Sequence, residues 1–316
     1  MALLTDNVLR NASIYCTLIM IIMCIIGIIG NSLSLFIYRG PSFRKRSINI
    51  LLAALSATDL CLCTLAIPVF SISLIQSASK YLTGHILIFA YPVTLMLQSM
   101  SVWLLVGITI DRYLAVCHPF KARVHCTCAR AKLSICIIVF FSVAYNFVRF
   151  WEFKFDDADG IISLEDSIVP LLRGDHLFML LYQNIATLIS QFFIPLIVLC
   201  VLNLRVAQTI LQASEQRRQL VASEKCEYNT ARMMFFIVIV FIFCYALSMI
   251  LNLVEILNED LFRQPIGYLL NDINNILVVI NSSSSFIFYT FYSTSNANLT
   301  RSSEHYLFRK IFYVVI

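Results

Sequence analysis

Three ionisable residues lie inside or near the end of long apolar runs and are the first candidates for a functional role. Asp59 lies in the middle of one run, and Asp111 and Arg112 lie near the end of the run over residues 85–117. A charge in such surroundings is costly unless a partner or water compensates it, so it marks a functional site. Asp111 and Arg112 can form an ion pair with a mechanistic role, or Arg112 can simply anchor the helix end at a polar boundary.

The elements that position these residues are predicted to be membrane-spanning helices. Of the 316 residues, 59% are hydrophobic and only 13% are charged, whereas a soluble domain carries roughly a quarter charged residues. Apolar runs of about 20 residues recur, and in lipid each must satisfy its own backbone hydrogen bonds, which requires helices. We predict seven spans, at residues 14–38, 48–75, 85–117, 131–151, 178–211, 230–257 and 266–292.

Loop charge sets the expected orientation of this bundle. Basic residues such as Arg44, Lys45 and Arg46 concentrate on one side and acidic residues on the other, which places the N-terminus outside. We therefore expect an extracellular segment over 1–13, a seven-helix domain over 14–292 and a cytoplasmic tail over 293–316. The sequon Asn11-Ala12-Ser13 is a predicted glycosylation site on the outer side.

The outer side carries an excess of carboxylates, mainly between spans four and five and beside spans six and seven. Such a surface would attract a cationic ligand and raise its rate of encounter. The alternative is a solvated loop that its charge merely keeps soluble.

Catalytic motifs are absent from the sequence. It contains no H-E-x-x-H, no G-x-S-x-G and no paired intramembrane aspartates, and no internal repeat of the kind that transporters show. We therefore expect no enzyme, no metal centre and no nucleic-acid partner. The expected partners are the lipid bilayer, a ligand and a cytoplasmic protein.

The run around Asp111 resembles a family signature. Asp111-Arg112-Tyr113, followed by Ala115-Val116 and Pro119, is similar to the D-R-Y and A-V-x-x-P pattern of rhodopsin-like G protein-coupled receptors. The resemblance implies a receptor that signals to heterotrimeric G proteins at the plasma membrane. It also implies a G-protein switch, whose members here are Asp111, Arg112, Tyr113, Glu227 and Tyr289.

The same resemblance extends to a polar core in the middle of the bundle. Gly30-Asn31 and the segment from Leu55 to Asp59 match the G-N and L-A-x-x-D patterns of the family. The family pattern implies an allosteric sodium ion, whose ligand set here is Asn31, Asp59, Ser101, Asn281, Ser282 and Ser285. A protonated, hydrogen-bonded Asp59 without sodium is the alternative.

The chain departs from the family pattern at four points of spans six and seven. Tyr245 replaces a tryptophan, Leu247 a proline, Ser285 an asparagine and Phe286 a common proline. The family's cysteine bridge also cannot form, because Leu87 occupies its first position and residues 151–183 contain no cysteine. A more mobile outer loop is the expected consequence.

A narrower resemblance concerns the end of span four. The segment from Tyr145 to Glu152 is similar to the Y-N-x-P-R-F-F-E of invertebrate FMRFamide-type receptors. It implies activation by a cationic amidated neuropeptide; a divergent chemosensory or orphan receptor for a small molecule is the alternative. By family position the ligand pocket contains Thr94, Gln98, Glu152, Tyr245, Asn252, Glu255 and Asn275. Thr94 stands where amine receptors have an aspartate, which argues against an amine ligand.

Overall fold

Long apolar helices form most of the part of the chain that the structure describes. The computed structural model describes residues 2–40, 45–71, 80–155, 168–216, 238–251, 253–254, 257 and 264–297. The main helices are α1 (Ala2–Tyr38), α2 (Ser47–Phe70), α3 (Tyr91–Cys117), α4 (Cys128–Asn146), α5 (Ile194–Gln216), α6 (Val238–Leu251) and α7 (Pro265–Ala297).

Shorter helical segments extend several of these helices. Lys80–His85 and a π-helical turn at Ile86–Ala90 lead into α3, and π-helical stretches at Phe178–Ala186 and Ile189–Phe193 lead into α5. A 3-10 turn, Phe147–Trp151, continues α4, a second is Leu172–Gly174, and a short helix, Pro119–His125, follows α3.

The helices have the length and polarity of membrane spans. Within the described residues five of them are long and apolar enough to cross a bilayer, and Val238–Leu251 is a shorter apolar helix. Ile22, Ile25 and Ile29 of α1 are exposed on the outside of the bundle, as expected of a surface that faces lipid. The prediction of an all-α membrane protein is confirmed.

Two buried clusters hold the bundle together. The larger one joins α2, α3, α5 and α6 through side chains such as Leu52, Ile108, Leu199 and Phe241. The smaller one joins α1, α2 and α7 around Met20, Cys24 and Leu62. Helix α1 therefore packs against both α2 and α7, which brings the polar residues of these three helices together.

A small hairpin lies between α4 and the helical region that leads into α5. Strand β1 (Phe153–Phe155) pairs antiparallel with β2 (Ile168–Pro170), with Lys154 opposite Val169. The hairpin rests on the segment before α3, where the rings of His85 and Phe155 are 5.1 Å apart. A Cβ at Gly84 would overlap the Phe155 ring, so only glycine permits this close approach.

Candidate functional sites

The Asp111–Arg112 pair lies at one end of the bundle, called here the Arg112 end. Nη2 of Arg112 is 2.6 Å from Oδ2 of Asp111, and the two side chains are 18% and 8% exposed. The other carboxylate oxygen of Asp111 accepts a 2.7 Å hydrogen bond from the hydroxyl of Ser47, at the start of α2. Ser47, which the sequence did not suggest, therefore ties the ion pair to a second helix.

Two further contacts lie beside the Asp111–Arg112 pair, at the end of α3 and in the segment that follows it. The hydroxyl of Tyr113 is 3.0 Å from Nε2 of His118, one residue past the end of α3. The thiol of Cys126 lies 3.7 Å from the backbone carbonyl of Asp111, and burial raises the pKa of this thiol to about 11. A thiol with a raised pKa is a poor nucleophile at neutral pH.

Two predicted members of the switch lie beyond what the structure describes. Glu227 is outside the described residues, and Tyr289 lies in α7 but its side chain is not described. A contact of either with Arg112 therefore stays a prediction.

The predicted polar core does come together between α1, α2, α3 and α7. Asp59 is fully buried and accepts a 2.6 Å hydrogen bond from the hydroxyl of Ser101. The side-chain amide of Asn31 donates to the carbonyl of Ser282 at 3.2 Å. A cavity of about 10 Å³ beside them is lined by Ser101, Asn281 and Ser285, among others.

The donor set of this core fits a small hard cation. Oδ2 of Asp59 has no hydrogen-bond partner among the described residues, and the hydroxyls of Ser101, Ser282 and Ser285 supply further oxygen atoms nearby. Hard cations prefer carboxylate, hydroxyl and carbonyl oxygens. The small cavity has about the volume of one water molecule or one ion, and it is lined by Ser101, Asn281 and Ser285 but not by Asp59 itself. Asp59 and its neighbours can therefore hold a sodium ion, and a protonated Asp59 fits the same geometry.

A larger cavity opens toward the other end of the bundle, called here the Arg149 end. Its volume is about 100 Å³, and its wall includes Gln98, Tyr145, Arg149, Thr187, Gln191 and Tyr245. Carboxamides, hydroxyls and aromatic rings dominate this wall, and Arg149 is the one charged side chain among its described members. The cavity can therefore hydrogen-bond a polar group and pack an apolar one beside it.

Only some of the predicted pocket residues line the larger cavity. Gln98 and Tyr245 line the cavity, as predicted. Thr94 is fully buried and its hydroxyl donates to the carbonyl of Ala90 at 2.9 Å, so it is not part of the wall. Asn274, hydrogen-bonded to Ser248, lines the cavity where Asn275 was expected. Asn252 and Glu255 lie outside the described residues.

Arg149, at the end of α4, organises the wall of this cavity. The side chain is only 3% exposed, and its Nη1 donates to Oε1 of Glu152 at 2.8 Å and to Oε1 of Gln183. Its Nε donates to Oδ1 of Asn146 at 3.1 Å, and its Nη2 donates to Oγ1 of Thr187 at 3.3 Å. The guanidinium also lies 5.1 Å from the centre of the Tyr182 ring, in cation–π contact.

Glu152 lies behind Arg149 instead of on the cavity wall that was predicted for it. Its residue is 0% exposed, and its second carboxylate oxygen is 3.7 Å from Nη1 of Arg173. Burial raises the pKa of the Glu152 carboxyl, while the charges of Arg149 and Arg173 oppose that rise. The physical reason for its position is local: the 3-10 turn at Phe147–Trp151 brings the two side chains, three residues apart, onto one face.

Contacts of Glu152 and Arg173 hold the hairpin against the bundle without a covalent bridge. The backbone carbonyl of Glu152 accepts from the amide of Leu171 at 2.9 Å, and the guanidinium of Arg173 lies over the ring of Phe153 at 5.5 Å. All cysteines among the described residues are free thiols. Residues 156–167, where a mobile loop was expected, lie outside the described residues.

The sequon lies on the exposed side of α1, which begins at Ala2, well ahead of the predicted start of the first span. Asn11 is exposed, and the hydroxyl of Ser13 donates to the carboxylate of Asp272 on α7. Glycosylation at Asn11 stays a prediction.

Comparison with known proteins identifies the family. The model of the 7 transmembrane receptor (rhodopsin family) matches residues 30–289. The chain is 34% identical to the FMRFamide peptide receptor frpr-18 of Caenorhabditis elegans, over 88% of this chain and 66% of that protein. It is 32% identical to the FMRFamide receptor of Drosophila melanogaster, over 87% of this chain and 51% of that protein.

A more distant relative is the type-1 angiotensin II receptor B of Xenopus laevis, 23% identical over 74% of this chain. The chain thus spans between half and two thirds of the length of the first two relatives. The matching family is one of membrane-spanning receptors and not of enzymes, in agreement with the prediction from the sequence. The chain belongs to the rhodopsin family of seven-transmembrane receptors.

Proposed function

We propose that the chain is a G protein-coupled receptor that a cationic amidated peptide activates from outside the cell. The observation that carries the proposal is the presence of two polar sites at opposite ends of one rigid helix. Gln98 of α3 lines the larger cavity, and Asp111 and Arg112 of the same helix form the ion pair. About 13 residues separate them, which corresponds to roughly 20 Å along the helix.

In the proposed resting state Asp111 holds Arg112, and the hydroxyl of Ser47 holds Asp111. Activation requires Arg112 to leave Asp111 and to face a heterotrimeric G protein instead. The pair is short and mostly buried, so its release needs a competing partner or the entry of water. Leu247 occupies the position of the expected proline in α6, so a smaller outward bend of this helix is expected.

Three features favour a peptide as the ligand. Two relatives, at 34% and 32% identity, are named as FMRFamide receptors. The loops on the proposed outer side are acidic in sequence, which would draw in a cation. Thr94 offers no carboxylate for an amine, and its buried hydroxyl already donates to the carbonyl of Ala90.

Sodium at Asp59 is a second part of the proposal. The orphan carboxylate oxygen and the surrounding hydroxyls would hold the ion and favour the resting packing of α2, α3 and α7. If the proposal is right, sodium lowers peptide affinity and Asp59→Asn removes the effect. If Asp59 is protonated instead, exchanging sodium for potassium leaves the affinity unchanged.

The test is nucleotide exchange on G proteins in membranes that contain the chain. A panel of amidated peptides, including Phe-Met-Arg-Phe-amide, is compared with a panel of small odorants. Stimulation by a peptide and its loss in Arg112→Ala, at equal surface expression, support the proposal. Stimulation by odorants alone would favour the small-molecule alternative. Tags at the two ends of the chain test the orientation, and the N-terminal tag should be accessible from outside.

A further inference from the structure

Phe286 changes how α7 meets α1. A Cβ at Gly30 would overlap the ring of Phe286, so the ring lies directly against the backbone of α1, and a residue larger than glycine would displace it. A proline, which is common at this position in the family pattern, would kink or break the helix, because it has no N–H and its ring clashes with the carbonyl four residues earlier. With Phe286 in its place, α7 continues as one helix from Pro265 to Ala297.

Two hydrogen bonds hold the same turn of α7 on α1. The side-chain amide of Asn31 donates to the carbonyl of Ser282 at 3.2 Å, and the hydroxyl of Ser283 donates to the carbonyl of Met23 at 2.9 Å. Ser282 lies four residues before Phe286, so in the α-helix its carbonyl also accepts from the amide of Phe286. A carbonyl oxygen has two lone pairs and can accept both bonds. Helix α7 is therefore tied to α1 without a break in its own hydrogen bonding.

Helix α2 belongs to the same group of helices. The thiol of Cys63 lies 3.8 Å from the hydroxyl oxygen of Ser283, and both side chains are buried. Cys63 also belongs to the smaller buried cluster, which joins α1, α2 and α7. Nearer the start of α7, the hydroxyl of Ser13 donates to the carboxylate of Asp272. Contacts thus join α7 to α1 at several points from Asp272 to Phe286.

Among the described residues, helix α6 lies outside this group. It contributes to the larger buried cluster, through side chains such as Phe241 and Cys244, and none of its described residues belongs to the smaller cluster. The hydroxyls of Ser282 and Ser285, on the turn of α7 that ends at the Gly30 contact, lie beside Asp59. A displacement of α7 along α1 would pull these hydroxyls away from the carboxylate, whereas a displacement of α6 need not disturb them.

We propose that Phe286 is a positioning residue, whose ring at Gly30 keeps α1, α2 and α7 together as one unit during activation. The ring holds the turn that carries Ser282 and Ser285, and so keeps both hydroxyls at Asp59. Activation then moves α6 against this unit, and α7 is not displaced from α1. The inference rests on the proposed function for its account of signalling, whereas the contact of Phe286 with Gly30 does not depend on that function.

The first experiment ties α7 to α2 by a disulfide and asks whether the chain still signals. Ser283→Cys places a second thiol opposite Cys63, and copper–phenanthroline oxidises the two thiols to a disulfide in membranes that contain the full-length chain. Mass spectrometry measures the bridged fraction. Nucleotide exchange stimulated by Phe-Met-Arg-Phe-amide should be the same before and after bridging. Ser284→Cys is the matched control for oxidation, because Ser284 lines the small cavity instead and its substitution should form no bridge.

The second experiment measures the Tm of the purified chain in detergent and needs no ligand. Gly30→Ala should lower the Tm by roughly 2–12 °C, because the added methyl group meets the ring. In a Phe286→Ala background it should lower the Tm no further, because the ring is gone. Gly107→Ala is the matched control: its Cβ would lie 3.6 Å from Cδ1 of Ile138, an ordinary contact, so its effect should be small and equal in both backgrounds.

Loss of stimulated exchange on bridging overturns the inference, because α7 would then have to move away from α2 during activation. Absence of a bridge in Ser283→Cys, or an equal effect of Gly30→Ala with and without the ring of Phe286, also overturns it. A wild type that the peptide does not stimulate refutes the proposed function instead, and the Tm measurements then show separately whether Phe286 holds α7 at Gly30.

Discussion

Glu152→Gln tests how much the buried ion pair with Arg149 contributes to the receptor. The two side chains are 3% and 1% exposed and their charged atoms are 2.8 Å apart. Removing the carboxylate leaves the guanidinium of Arg149 buried and unpaired. Breaking a buried pair from one side costs about 3–5 kcal/mol. At about 2–4 °C per kcal/mol for a protein of this size class, the Tm should fall by roughly 6–20 °C.

The assay is thermal unfolding of the purified receptor in detergent, run on three variants. Arg173→Gln is the control, because Arg173 is 34% exposed and 3.7 Å from the same carboxylate, and it should cost at most about 1 kcal/mol. The double variant Arg149→Gln, Glu152→Gln removes both charges and should recover at least half of the loss in Tm. Glu152→Gln as stable as the wild type, or a double variant whose Tm is no higher than that of Glu152→Gln, would refute the reasoning.

Three further predictions concern the Arg112 end and the polar core. Arg112→Ala should abolish agonist-stimulated nucleotide exchange at unchanged surface expression, and normal signalling by this variant would contradict the proposed switch. Ser47→Ala removes one hydrogen bond to Asp111, about 1 kcal/mol, and should raise basal exchange severalfold; Ser32→Ala, at an exposed position of α1, is the control and should not. Asp59→Asn should make peptide affinity independent of sodium, whereas a sodium effect that persists would locate the ion elsewhere.

The sequence could predict those contacts of the site whose residues belong to recognisable motifs. Asp111 and Arg112 adjoin in sequence, and Asp59 and Ser101 lie at family positions, so their pairing required only the correct helix assignment. The contact of Ser47 with Asp111 was not predicted, because a serine at the start of a helix usually serves as a cap. Its bond to Asp111 depends on how α2 packs against α3, which no local pattern encodes.

The cavity wall was harder to predict because it depends on helix rotation. One residue corresponds to about 100° around a helix, which separates Asn274 on the wall from Asn275 beside it. Glu152 was assigned to the cavity by its family position, and only the 3-10 turn shows that it faces Arg149 instead.

The way the hairpin is attached has a practical consequence. Charge pairing at Glu152 and ring contacts at His85 and Phe155 hold it, and none of these responds to thiol chemistry. Ligand recognition by this receptor should therefore survive treatment with dithiothreitol, which leaves these contacts intact. The protein can accordingly be produced and handled in a reducing environment, where its many thiols are protected from oxidation.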